Sequence, residues 1–195
     1  MKYSLSFRIW HWFNAIVVFG LLGTVFLRKT FLSWRMNSEI IMNQLATIGV
    51  EITAIQAKVI AKAIRAGMWE WHIILGYALA FSIIYRIILF FRDSSQKQSW
   101  SDLDLHKKTV KFSYYLLYGV LLFMTVSGFV IYFHEVLGLS NEKAHDIKEV
   151  HEFLYNFILI FVPLHIMGVV IAENRDEEGI VSTIINGKEC KERKC

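Results

Sequence analysis

Proline is nearly missing from this 195-residue chain, which has one, and charge is sparse, at 19% of residues against 55% hydrophobic. That balance excludes an ordinary soluble domain and reads as a membrane protein. Cysteine occurs twice, as Cys190 and Cys195 in the charged tail GKECKERKC. Neither a CxxCH attachment motif for a covalently held haem nor a paired zinc motif can be made from them. The two thiols are expected to be solvated and reduced on the cytoplasmic side. Carboxylates are missing from the interior of the apolar runs, which argues against a proton or metal transport path, and there is no internal repeat. The 21 Lys and Arg, against 17 Asp and Glu, sit mostly between apolar runs and at the C-terminus. There they set membrane orientation rather than bind nucleic acid.

What is present is four apolar runs long enough to span a bilayer, at about 7–28, 69–91, 112–133 and 149–172. The expected fold is an all-α membrane protein, a four-helix transmembrane bundle with an additional amphipathic helix between spans one and two, forming a single domain over 1–195. The first apolar run, Ile9 to Leu27, is read as uncleaved, because no small-residue cleavage site precedes Arg28 and Lys29. In the connection 30–68, Ile41, Leu45, Ile48, Ile52, Ile55 and Val59 step by four and three, with Gly49 as a point of interruption. Such a helix can lie along the membrane interface, the favoured expectation, or offer a seam to a partner helix. Ser94 to Lys111, with Lys97 and a solvated His106, reads as a polar loop, and so does His134 to Lys148, while 173–195 reads as a charged cytoplasmic tail. In span three, Gly119, Ser127 and Gly128 leave room for a neighbouring helix or a flat ring.

Histidines sit inside these runs. His151 and His165 lie fourteen residues apart where Phe153 to Ala172 carries no charge, so both leave one helix face about 21 Å apart along the axis. Span one opens with RIWHW, bearing His11, and span two with MWEWH, bearing His72. Arg86 follows His72 by fourteen residues, on the same face and deeper, where it meets a propionate or a quinone oxygen or else snorkels to the far interface. Summed by side, 12 Lys and Arg accompany the termini and 8 lie opposite, which puts both termini in the cytoplasm. Alternating spans then bring His11 level with His165 near the inner face and His72 level with His151 near the outer face.

Two imidazoles at one depth suit the axial positions of a haem iron, and two such pairs make an electron path across the bilayer. A single zinc site is excluded, since bonds near 2 Å cannot gather ligands about 21 Å apart. His134, at the outer end of span three, is a rival to His72, which is preferred because it lies further into an apolar span with Gly76 one turn on. Met124 and Met167 read as packing residues.

RIWHW, the WHxxxG of span two with the later Arg86, the fourteen-residue histidine pair and ENRDEEGIVSTIINGK together resemble the bacterial cytochrome b561 and nickel-iron hydrogenase b-type cytochrome family. The b subunits of membrane formate dehydrogenases share the arrangement. The resemblance implies two non-covalent haem b groups ligated by His11, His72, His151 and His165, and electron exchange with quinone in a bacterial plasma membrane. It also implies either a periplasmic hydrogenase- or dehydrogenase-type partner subunit or a stand-alone role with a small molecule such as superoxide. The long connection 30–68 departs from the shortest members and suits a docking surface.

Overall fold

The computed structural model describes residues 3–92, 103–175 and 179–187. Every regular element among them is helical: α1 (Leu5–Lys29), α2 (Trp34–Thr47), α3 (Ala54–Arg92), α4 (Leu105–Tyr132), α5 (Asn141–Arg175) and α6 (Ile180–Ile185). Four of these, α1, α3, α4 and α5, are long and apolar enough to cross a membrane. Cys190, Cys195, Lys97 and the end of the tail lie outside the described residues.

Two compact units divide the chain, one of 1–14 with 80–195 and one of 15–79. In the first, α4 packs along α5 and α6 packs on α5. The only proline, Pro163, is carried inside α5, where it gives no N–H to the carbonyl of Leu159 one turn back. In the second, α1 meets α3 where Gly20 faces Leu75, so closely that a Cβ would stand 2.9 Å from the leucine Cδ1.

The connection departs from its periodic reading. α2 ends at Thr47 in a left-handed cap: Gly49 has φ +78°, and the Gly49 and Val50 amides return to the carbonyls of Ala46 and Leu45. The second half is no separate helix but the first four turns of α3, started by a capping box in which Thr53 Oγ1 accepts from the Gln56 amide and Gln56 Oε1 from the Thr53 amide. The buried face is also not the isoleucine stripe. Ala57 and Ala61 are fully buried and Met68 nearly so, whereas Ile48, Ile55 and Val59 stand exposed. Small side chains allow closer helix contact than β-branched ones do.

Two expected loops are partly helical. α4 starts at Leu105, so His106 sits in its first turn, and α5 starts at Asn141, eight residues before the span. Side chains one turn apart, His145 with Glu149 and the ion pair of Lys148 with Glu152, both at 3.7 Å, line that early stretch of α5.

Candidate functional site

Two of the four singled-out histidines meet in the first unit. The His11 ring, from α1, and the His165 ring, from α5, have centroids 6.4 Å apart and planes at 55°. Phe161 stacks on His165 from one turn back in α5, and Tyr114 of α4 meets it edge-on. His11 Nδ1 is buried and makes no hydrogen bond among the described residues. Beside this pair, Arg86 from α3 places its guanidinium carbon 5.3 Å from each of the Phe7, Trp10 and Tyr118 ring centroids. Its Nε is buried without a hydrogen-bond partner among the described residues, and so is that of Arg8.

The tail closes over the same end of α1. Arg8 Nη1 donates to the Ile185 carbonyl at 3.2 Å and Trp12 Nε1 to that of Ile184 at 3.3 Å, so α6 holds the residues flanking His11. Gly187 has φ +77°, and a Cβ there would stand 2.8 Å from Arg8 Cζ, so only glycine leaves the arginine its place. Glu173, one residue beyond the apolar run of α5, accepts the Val181 and Gly179 amides on its two oxygens, both at 2.9 Å.

His151 lies elsewhere in the first unit, against α4. Its Nδ1 is 2.8 Å from the Ser127 hydroxyl, and its Cε1 would be 3.5 Å from a Cβ added at Gly128. The Ser127 proton is directed to the Phe123 carbonyl at 2.7 Å. A hydroxyl has one hydrogen to give, so the imidazole Nδ1 must carry its own and donate it, which leaves Nε2 a bare lone pair.

The second unit repeats this arrangement around His72. Its Nδ1 is 2.7 Å from Thr24 Oγ1, whose proton is directed to the Leu21 carbonyl at 2.7 Å. A Cβ added at Gly76 would meet nothing within 4 Å, so the face one turn beyond His72 is open. Trp69 stands edge-on to the His72 ring at 5.6 Å, and Arg28 lies over Trp69 at the same distance. Nearby in sequence, Arg35 and Lys58 both lie over Trp34.

The other histidines are differently engaged. His134 is engaged at both ring nitrogens, Nδ1 at 2.9 Å from the Ile131 carbonyl and Nε2 at 3.1 Å from the side-chain amide of Asn141. His106 and His145 are exposed. Among the described residues no three His, Cys, Asp or Glu side chains converge as a metal site would require. Sequence reasoning missed Thr24, which no motif marks, and singled out Ser127 only as a small residue of span three, not as a partner of His151. It also missed the folding of the tail onto α1, for which the apolar IVSTII between Gly179 and Gly187 was the available signal.

Long apolar helices carrying half-buried imidazoles, in a chain with no cysteine attachment motif, define a membrane protein able to hold a non-covalent cofactor. The family model for prokaryotic cytochrome b561 matches residues 2–187, and the chain belongs to that family. It is therefore a multi-pass membrane b-type cytochrome that binds haem b and takes part in electron transfer. No curated protein and no solved structure matches the chain significantly.

Proposed function

We propose that the chain is a di-haem conduit carrying electrons between a redox partner on the outer face of a bacterial plasma membrane and the quinone pool, both termini being cytoplasmic. Haem iron with two imidazole ligands supplies one-electron transfer without an open coordination position. His11 with His165 would hold the inner group and His72 with His151 the outer one, the second pairing resting on the depth argument from the sequence. The observation that carries the reading is the facing of His11 and His165 at 6.4 Å between centroids. Imidazoles bound on opposite sides of one metal, with bonds of about 2 Å, hold their centroids roughly 6 Å apart. Arg86 and Arg8, half-buried cations whose buried Nε atoms find no hydrogen-bond partner among the described residues, suit an anionic or oxyanionic group such as a propionate or a reduced quinone.

A partner subunit is favoured by the start of α3. Its 39 residues make a helix about 58 Å long, well beyond the roughly 30 Å of hydrocarbon. The early turns carry Lys58, Lys62 and Arg65 on one face, with exposed Ile55, Val59 and Ile64 beside them. That mixture of basic and apolar surface suits an acidic redox protein docking near Trp69 and His72. The same cations favour a second reading, a stand-alone quinone oxidoreductase that draws in a small anion such as superoxide.

Haem quantitation and a reduced-minus-oxidised spectrum of the purified chain test the proposal. Two haem b per chain are expected; His11→Ala and His165→Ala should remove one, and His72→Ala and His151→Ala the other. A colourless wild-type protein, or retention of both haems when His151 and His165 are removed together, overturns it. Stoichiometric co-purification of an iron-sulfur or flavin subunit selects the first reading, and haem reduction by superoxide in the isolated chain the second.

A further inference from the structure

Thr24 and Ser127 stand in the same relation to two different histidines. Each hydroxyl directs its proton to a carbonyl about one turn back in its own helix, Leu21 or Phe123, at 2.7 Å. Each then meets an imidazole Nδ1 on its remaining lone pairs, His72 at 2.7 Å and His151 at 2.8 Å. Both side chains are buried, Thr24 at 7% and Ser127 at 3% exposure, so water does not compete for the bond. Among the described residues no such hydroxyl meets Nδ1 of His11.

Resting on the reading of His72 and His151 as haem ligands, we propose that Thr24 and Ser127 are positioning residues that set the tautomer, ring angle and donor strength of those two imidazoles. By accepting the Nδ1 hydrogen, each hydroxyl leaves Nε2 as the only nitrogen that can bind iron. The bond also fixes rotation of the ring about its Cβ–Cγ bond, so the lone pair keeps one direction. A hydrogen-bonded Nδ1–H makes the imidazole the stronger electron donor, which favours ferric over ferrous iron. The residues act through the ligands and touch no reacting atom.

The test uses the full chain, purified, as wild type and as Thr24→Val, Ser127→Ala and Thr24→Ser, with haem content, the ferric electron paramagnetic resonance spectrum and a potentiometric titration as readouts. Thr24→Val and Ser127→Ala should each favour reduction of the same haem by about threefold to tenfold, the upper figure being about 59 mV for one electron, and leave the other haem unmoved. Thr24→Ser, which keeps the acceptor, should titrate as wild type. Loss of one haem in Thr24→Val that Thr24→Ser restores also supports the proposal. It is overturned if Thr24→Val and Ser127→Ala keep full haem content and titrate as wild type, or if Thr24→Ser behaves as Thr24→Val does. A wild-type chain without haem would instead refute the haem reading. Shifts falling on different haems would support both positioning roles while refuting the pairing of His72 with His151.

Discussion

Trp10 donates its indole N–H to the backbone carbonyl of Ser82 at 2.9 Å, with both residues buried. The same serine gives its hydroxyl proton to Asn14 Oδ1 at 2.8 Å, so two bonds join the early turns of α1 to the later turns of α3. Trp10 is next to His11, and its ring also forms part of the surround of Arg86. Trp10→Phe keeps most of the ring but removes the donor, and should destabilise the protein by about 1 kcal/mol. Thermal loss of the Soret band should move to lower temperature. Ser82→Ala, which leaves the carbonyl in place, should have the smaller effect.

His134→Gln should keep both haems and the wild-type spectrum. Both nitrogens of that ring are already engaged within the protein, Nδ1 at the Ile131 carbonyl and Nε2 at the Asn141 side-chain amide, so neither is turned free toward iron. His72→Gln should lose one haem under the same purification. Loss of a haem in the His134 variant would make that residue the ligand.

Arg86 separates a structural role from a functional one. A purely structural guanidinium among three rings would contribute up to about 2 kcal/mol, and Arg86→Leu would lower stability by that amount. If the cation instead serves an anionic ligand, its Nε, unpartnered among the described residues, is a burden on the ligand-free chain. Arg86→Leu should then keep or raise the stability of haem-free protein while slowing quinone reduction at least tenfold. Thermal unfolding of the haem-free protein and quinone kinetics of the loaded one decide between them.

Docking at the start of α3 should be sensitive to salt and to charge. Lys58→Glu with Lys62→Glu reverses two exposed cations one turn apart and leaves the buried Ala57, Ala61 and Met68 untouched. Co-purification of an acidic partner should fall at least tenfold in this variant at low salt, and in the wild type as ionic strength rises, while haem content stays the same. Unchanged co-purification would remove this face from the interface.

The four long apolar helices were legible because sequence alone states that an apolar run must be long enough to cross a bilayer and must satisfy its own backbone. Their full extents were not. α3 runs back to Ala54 because Thr53 and Gln56 cap it there, and that T-x-x-Q signature was readable but lay inside a stripe of isoleucines with a convincing period. The stripe itself misled, because exposed isoleucine is compatible with lipid or with a partner and its spacing does not say which side is packed. Four histidines could be singled out by their rarity in apolar runs. Their hydroxyl partners could not, since Thr24 and His72, like Ser127 and His151, are distant in sequence and ordinary in type.

Glu173 fastens the tail to the end of α5 and does so as an anion. The amides of Val181 and then Gly179 hold its carboxyl below the ordinary carboxylate value. Because the value is lowered on folding, the stabilisation is fully present above the ordinary carboxylate range and is lost as pH falls through the folded value. Hydrogen-exchange protection of the Gly179 and Val181 amides should therefore be steady from neutral pH down to about 5 and decline in more acid solution, near the range where free carboxylates take up protons. Glu173→Ala should lack that protection at every pH. With α6 loosened, the carbonyls of Ile184 and Ile185 would no longer hold Trp12 and Arg8 on either side of His11, so the haem at His11 should dissociate faster in this variant. Wild-type protection in Glu173→Ala would mean that packing of Thr183 and its neighbours, rather than the carboxylate, keeps the tail in place.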